Sequence, residues 1–475
     1  MSATASQRVE PRERPAGLGF KQFLGYGAGD AANNLAFSMT SMFLLLYYTD
    51  VAGIAPTTVG TLFLVVRVFD GFADLFAGRL VDKTNTRWGR FRPYLLFATI
   101  PLLLLNIAVF TVPDLGATGT LVYAYATYLL FGLAYSLVNI PYGSLATSMT
   151  QDSVERSKLA TYRVFGSNIA ILLLAVVVSP QIEGSGNLQR SLTITTIVLA
   201  VIGTGLYLFT FLTSRERVSH TTRTPTLRET FAGAKQNTAL LVLCGSSLVF
   251  LTGWFSLQTV TIYYARDVLD NADYYIVLTV VQTAGVFAAA LLVPRIVPAV
   301  GKKRVYQGLG VIAVLAGLAV AFAPSSVPAI AIVAFACFGV GLGGVNTVSF
   351  AMQSDTVEYG EWQSGSRNEG ATYSIFSFTR KVGQAFGAAA ASYTIGLGGY
   401  VADSASQPDG AIRAIKAAAG IVPAVFIVGA VAVMSLYPLT EEKFREIVRE
   451  VAERRATGQG QDCLLYTSPS PRDRS

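Results

Sequence analysis

Long apolar runs separated by short polar segments set the pattern of this chain. One run reads LLFATIPLLLLNIAVFTV from Leu95, and another reads IAILLLAVVV from Ile169. A helix that crosses a membrane needs about 20 mostly apolar residues. The pattern predicts an all-α membrane protein with twelve spans, at residues 20–50, 58–81, 93–112, 119–148, 160–179, 192–213, 238–265, 274–294, 304–322, 327–352, 371–397 and 412–437.

Composition agrees with this pattern. Of 475 residues, 52% are hydrophobic and 14% are charged, whereas about a quarter of the residues in a soluble protein are charged. The polar N-terminal segment, residues 1–19, has no apolar core followed by a cleavage site. We therefore expect no cleaved signal peptide, and we expect the first span to serve as the targeting element.

The net charge of +7 is distributed as in a membrane protein rather than a nucleic-acid-binding one. Positive residues cluster in alternate loops, and the loops between them are short and poor in Lys and Arg. This positive-inside pattern predicts that both termini are cytoplasmic. The clustered residues are Lys83, Arg87, Arg90, Arg92, Arg156, Lys158, Arg215, Arg217, Arg223, Arg228, Lys302, Lys303 and Arg304.

The chain divides into two halves of six spans. A charged cytoplasmic linker, residues 214–237, separates the half at 20–213 from the half at 238–437. The loops GRLVDKTNTRWGRFRP and PRIVPAVGKKRV occupy matching positions, which indicates a duplicated half. Residues 438–456 read as a cytoplasmic helix. The tail, residues 457–475, reads as disordered and foreign to the rest of the chain.

Charged residues inside the spans are the main candidates for function. Arg67, Asp70 and Asp74 are three and four residues apart, so they share one face of the second helix. Such residues face a bundle interior or an aqueous path. We expect Arg67 to pair with Asp70 or Asp74, and the remaining carboxylate to bind a small cation or a proton. The alternative is an ion-pair network that only locks helices together.

Further charged and polar side chains lie in other spans, and they place groups of both signs between the two halves. They are Asp30, Arg163, Arg380 and Lys381, with the neutral Asn139 and Asn346. The only histidine, His220, lies in the linker. Any proton coupling inside the membrane must therefore use carboxylates.

Catalytic patterns are absent from the sequence. It has no P-loop, and one histidine in a loop allows no Ser-His-Asp site. Its cysteines, Cys244, Cys337 and Cys463, have no metal-ligand spacing. The sequence therefore predicts a protein that is not an enzyme and has neither an organic cofactor nor a structural metal.

Several motifs resemble the glycoside–pentoside–hexuronide cation symporters, a family of the major facilitator superfamily. They are YYTDVAGI, GTLFLVVRVFDGFADLFAGRLVD, TRWGRFRPYLLF, SLVNIPYGSLA, DTVEYGEW and YSIFSFTRKVGQAFG. The resemblance runs from about Leu24 to Arg454 and extends to the glucuronide branch of the family. It implies a twelve-helix bundle whose two halves rock around a central site.

The resemblance also implies roles for individual residues. Asp30 matches a carboxylate that binds sugar hydroxyls, and Asp70 and Asp74 match the cation-site pair, a possible Na⁺ site. Arg163 and Lys381 match polar residues of the sugar pocket, to which we add Asn139 and Asn346, and Arg67 supports the carboxylates as an ion-pair partner. The gating motif of the cytoplasmic turn corresponds to Gly78, Asp82, Arg87, Gly89 and Arg90.

The chain also departs from the family pattern. Asn139 stands where the melibiose carrier has a second sugar-binding aspartate, Gly143 where it has a tryptophan, and Leu75 where proline is common. A neutral amide removes repulsion toward an anionic sugar. Lys381 or Arg163 could then pair with the carboxylate of a glucuronide.

The sequence thus predicts a monomeric, cation-coupled importer of glucuronides or related glycosides, driven by H⁺ or Na⁺. Its partners are a small sugar substrate, the coupling cation and the lipid bilayer, and nucleic acid is not among them. One alternative is transport of another solute in the same fold, such as a pentoside, another oligosaccharide or a lipid. Another is a membrane sensor that does not transport.

Overall fold

The computed structural model describes residues 17–150, 153–184, 186–216, 236–364, 369–402, 404 and 406–466. In this part of the chain the secondary structure consists of helices joined by short turns and loops. Most of the predicted linker and the first 16 residues lie outside this part. The helices are α1 Phe20–Leu46, π1 Tyr47–Val51, α2 Pro56–Lys83, α3 Arg92–Phe97, α4 Thr99–Val109, α5 Gly116–Met149, α6 Ser153–Gly184, α7 Leu188–Thr213, α8 Thr238–Tyr263, π2 Tyr264–Val268, α9 Tyr274–Val300, α10 Lys302–Phe322, α11 Pro328–Ser364, α12 Glu369–Leu397, α13 Asp409–Lys416, π3 Ala417–Ile421, α14 Val422–Ser435 and α15 Glu441–Tyr466.

The helices coincide with the twelve predicted spans, with differences at their ends. The third span is interrupted at Ala98, between α3 and α4. The fourth, fifth and tenth spans correspond to longer helices, and α11 continues to Ser364 rather than ending at residue 352. Leu75 lies inside α2, which is continuous, so no helix break occurs there.

Hydropathy separates the spans into two groups. By length and composition, nine segments of the described chain are apolar enough to cross a membrane. The other three predicted spans form α1, α2 and α12, which have 27, 28 and 29 residues. They are less apolar because they contain Asp30, the charged face of the second span, and the pair Arg380 and Lys381.

Helices of each half pack mainly on one another. In the first half α1 packs on α6 and α7, and in the second α12 packs on α8, and α11 on α9 and α10. The halves meet where α2 contacts α12, α1 contacts α8, and α6 contacts α9. Because the segments alternate in direction, the described termini lie at the same end of the bundle. We call this the proximal end and the opposite one the distal end.

The two halves repeat an unusual backbone feature at the distal end. The first helix of each half ends in a π-helical turn, Tyr47–Val51 in one and Tyr264–Val268 in the other. Each turn is followed two residues later by a left-handed residue, Gly53 with φ +67° and Asp270 with φ +54°. Single π-helical turns are uncommon and often mark functional sites.

The C-terminal helix is longer than predicted. The sequence predicts a helix over residues 438–456 and disorder after it, whereas α15 runs from Glu441 to Tyr466. It is fixed at the proximal end of α11, because the Trp362 indole donates to Glu450 at 2.7 Å and Arg454 donates to the Trp362 carbonyl at 2.9 Å. Residues 467–475 lie outside the described part of the chain.

Candidate functional site

A polar cavity of about 290 Å³ lies between the two halves. Both halves contribute charged, amide and aromatic side chains, a combination typical of pockets for polar ligands. The lining residues are Asp30, Asn34, Phe37, Arg67, Asp70, Tyr135, Ser136, Asn139, Arg163, Ser167, Phe350, Tyr373, Phe376, Ser377, Arg380, Lys381 and Gln384. Four of the five residues predicted to bind substrate are among them, and the fifth, Asn346, contacts Arg380.

One wall of the cavity carries an ion pair between α1 and α6. The Arg163 Nε atom donates to Asp30 Oδ1 at 2.8 Å. The Asp30 side chain is only 7% exposed, whereas that of Arg163 is 37% exposed. Asn34 donates to Asp30 Oδ2 at 3.2 Å. The paired groups keep hydrogen-bonding atoms at the cavity, as recognition of sugar hydroxyls requires.

The helical face predicted from the second span is present. Arg67 Nη1 lies 3.4 Å from Asp70 Oδ2, which confirms one of the two predicted pairings. Asp70 approaches Gly132 of α5 closely, because a Cβ atom at that glycine would lie 2.1 Å from Asp70 Oδ1. Asp70 Oδ1 and Asp74 Oδ1 are both buried and accept no hydrogen bond from the described residues.

A third ion pair joins the two halves. Lys381 of α12 donates to Asp74 of α2, and both side chains are about four-fifths buried. Lys381 also lines the cavity. Lys381 therefore contacts both the cavity and Asp74, one of the two residues of the predicted cation site.

Arg380 and its aromatic neighbours form the part of the cavity that the sequence-based prediction leaves without a role. Arg380 Nη2 donates to Asn346 Oδ1 at 2.8 Å. Its guanidinium carbon lies 4.7 Å from the ring centre of Phe350 and 5.5 Å from that of Phe376. Tyr373 adds a further ring. Gly143, by contrast, is exposed and has no atom near its side-chain position.

The predicted gating motif forms the proximal turn between α2 and α3. Gly78 lies in the last part of α2 and Asp82 one turn further on, while the Arg87 guanidinium stacks on Trp88 at 4.6 Å. Arg90 Nε donates to the Val81 carbonyl at 3.0 Å. The turn is thereby fixed to the end of α2.

Glu216, which the sequence-based prediction does not include, fixes this turn to the end of α7. Its carboxylate accepts the backbone N–H groups of Arg90, Phe91 and Arg92 at 2.9, 2.8 and 3.1 Å. Gly89 has φ +105°, and a Cβ atom there would lie 2.4 Å from Glu216 Oε1. Glycine is therefore required both for the backbone conformation and for the approach of the carboxylate.

The second half repeats this arrangement at the start of α10. Gly301 has φ +87°, and the Lys302 N–H donates to Glu441 Oε1 at 3.2 Å. Glu441 follows the last span of its half, just as Glu216 follows α7. Lys302 Nζ also pairs with Asp355 of α11 at 2.6 Å. The two loops matched in the sequence thus share a left-handed glycine and a backbone N–H bound by a carboxylate that follows the last span of its half.

We expect Glu216→Ala to loosen the proximal turn, because three N–H groups lose a charged acceptor. Hydrogen bonds to charged groups contribute about 1.5–3 kcal/mol each at most, so thermal unfolding in detergent should begin at a clearly lower temperature. Glu216→Gln keeps one acceptor oxygen and should give an intermediate value. An unchanged unfolding temperature for Glu216→Ala would show that the carboxylate does not fix the turn.

The π-helical turns contribute a second ion-pair contact between the halves, which we call the distal latch and define by Asp50, Arg266 and Tyr400. Arg266 Nη1 lies 2.6 Å from Asp50 Oδ2, and Arg266 Nη2 donates to the Tyr400 hydroxyl at 2.6 Å. That hydroxyl lies 2.8 and 2.9 Å from the two Asp50 oxygens. Burial, with Asp50 nearby, raises the pKa of Tyr400, so it stays protonated. Beside the latch, Thr49 bonds Tyr263 across the halves at 2.9 Å.

A bundle of two repeated halves around a polar central cavity is the architecture of transporters that alternate access between the two sides of a membrane. A scan against family models matches residues 25–441 to "MFS/sugar transport protein". The chain belongs to this family of the major facilitator superfamily. It is a multi-pass protein of the cell membrane and a transporter rather than an enzyme, which confirms the family and the fold predicted from the motifs.

Similar proteins agree with this assignment. The Escherichia coli "Glucuronide carrier protein homolog" is 43% identical over 93% of this chain and 97% of its own length. A "Putative 2,3-dihydroxypropane-1-sulfonate exporter" of E. coli is 32% identical over 93% of this chain and 97% of its length. The solved nucleoside transporter NupG covers 89% of this chain and 100% of its own, with a TM-score of 0.65 at 14% identity, which shows the shared fold alone.

Proposed function

We propose that the protein is a secondary-active symporter, which couples import of glucuronides or related glycosides to entry of H⁺ or Na⁺ by alternating access. The observation that carries this proposal is the position of Lys381, which borders the cavity and pairs with Asp74. Protonation of Asp74, or a cation beside it, weakens that pair. The Lys381 ammonium is then free to move at the cavity, and the contact between α2 and α12 weakens at the same time. Binding of the ion therefore alters the site where the sugar binds.

The carboxylate pair suits either coupling ion. Asp70 Oδ1 and Asp74 Oδ1 are buried and accept no hydrogen bond from the described chain, so each can take a proton or face a small cation. Asp30, Arg163 and Asn139 then provide donors and acceptors for the sugar hydroxyls. The substrate class is supported by a relative named as a glucuronide carrier homolog.

Entrance counterflow tests whether the protein transports a sugar. Purified protein in vesicles preloaded with phenyl β-D-glucuronide should transiently accumulate the labelled compound from outside, without any ion gradient. Phenyl β-D-glucoside, which differs by a hydroxymethyl group in place of the acid, serves as the matched neutral substrate. Counterflow of neither compound would contradict the proposal and favour a membrane sensor that does not transport.

A further inference from the structure

The charged groups at the cavity do not balance. Three carboxylates, Asp30, Asp70 and Asp74, face four cations, and each carboxylate has a cationic partner of its own among the described residues. The remaining cation is the guanidinium of Arg380. This count follows from the pairs Asp30–Arg163, Asp70–Arg67 and Asp74–Lys381.

Among the residues that the structure describes, none of those around Arg380 is an anion that compensates its charge. One side of the guanidinium contacts the neutral Asn346, and the rings of Phe350 and Phe376 lie on its other sides. Its Nη1 atom is buried and donates no hydrogen bond within the described chain. A ring face offsets only part of the cost of burying a cation, and a buried charge without a counter-ion is strongly unfavourable.

We propose that Arg380 is the residue that recognises the acid group of the substrate, and that this group supplies the counter-ion missing from the cavity. The inference rests on the proposed function and adds a specificity-determining residue to it. A guanidinium presents donors in a planar fork that matches a carboxylate with two parallel bonds. Phe350 and Phe376 hold the fork in place, and Asn346 orients its other nitrogen.

This assignment leaves Arg163 and Lys381 in other roles. The sequence suggests either of them as the partner of a glucuronide carboxylate, but both already bind an aspartate. While Asp30 and Asp74 are ionised and hold no other cation, an anion that took over one of these cations would leave a buried aspartate unpaired. At Arg380 the incoming acid breaks no existing ion pair, so binding there costs less.

The test compares phenyl β-D-glucuronide with phenyl β-D-glucoside in counterflow and binding assays of wild type, Arg380→Gln and Arg380→Lys. Arg380→Gln should raise the KM for the glucuronide on the order of 10- to 100-fold, the range expected for lost bonds to a charged group. Its KM for the glucoside should stay unchanged or fall. Arg380→Lys keeps the positive charge but not the planar pair of donors, so its KM for the glucuronide should lie between those of wild type and Arg380→Gln.

Matched controls separate the possible outcomes. Arg445→Gln removes an exposed arginine of α15 and should behave as wild type with both compounds. Equal losses for glucuronide and glucoside in Arg380→Gln would assign Arg380 a structural role and overturn the inference, as would an unchanged KM for the glucuronide. Wild type that carries the glucoside alone would overturn the inference and leave glycoside transport standing. Wild type that carries neither would overturn the proposed function as well.

Discussion

Asp74→Asn is expected to abolish uphill uptake of the sugar, because the amide can neither take up a proton nor face a cation with a negative charge. Vesicles with imposed ion gradients should fill only to the external concentration of labelled glucuronide. Counterflow, which needs no net ion movement, should remain measurable and show that the protein is folded. Asp74→Glu keeps the carboxylate and should retain part of the accumulation.

The same variant distinguishes coupling from a structural lock. Removing one partner of a buried ion pair costs roughly 3–5 kcal/mol, so Asp74→Asn should also lower the unfolding temperature, since Lys381 loses the carboxylate with which it forms an ion pair. The double variant Asp74→Asn, Lys381→Gln should regain stability without regaining uphill uptake. Gradient-driven accumulation by either variant would contradict the coupling role of Asp74. Its ion pair with Lys381 would then only hold the helices together.

The distal latch should control how often the cavity opens at the distal end. Asp50→Asn replaces a carboxylate that is 6% exposed and binds Arg266 and Tyr400. Arg266 keeps its ion pair with Asp267, so the loss is that of hydrogen bonds to a charged group, about 1.5–3 kcal/mol. About 1.4 kcal/mol corresponds to a factor of ten in a two-state equilibrium. A cysteine at Ser167, in a cysteine-free background, should react about tenfold faster or more with a maleimide added at the distal side.

An exposed acid near the latch provides the control for this experiment. Asp273 precedes α9 at the distal end, and Asp273→Asn should leave the labelling rate at Ser167 unchanged. If Asp50→Asn also left the rate unchanged, the latch would not hold the distal end closed. A faster labelling rate in both variants would indicate that the loss of any negative charge at the distal end affects the reagent.

The sequence predicts nine spans from apolar length, which decides where those segments can cross a bilayer. It predicts the other three because their apolar runs continue on both sides of a few charged residues. It also predicts the face formed by Arg67, Asp70 and Asp74, because helical spacing is local. Even the latch has a local signal, since YYTDV and YYARDV stand at the ends of matching spans. That signal can be recognised only when the sequences of the two halves are compared.

The sequence does not show which side chains of different helices contact each other. Hydropathy and spacing do not show that Lys381 meets Asp74 or that Glu216 reaches the turn at Gly89, because those contacts depend on how α2, α7 and α12 pack. The same holds for Arg380. Arg380 and Lys381 are adjacent in the chain and look equivalent there. Only packing shows that, among the described residues, Lys381 has a carboxylate partner and Arg380 has none.

Coupling of sugar entry to an ion gradient is the central claim, and vesicle uptake of labelled phenyl β-D-glucuronide tests it most directly. An inward sodium gradient and an inward proton gradient are imposed separately on the wild-type protein, each with and without an ionophore that collapses it. At least one gradient should drive the internal concentration above the external one, and its ionophore should abolish that accumulation. Uptake that only equilibrates under both gradients would contradict the account.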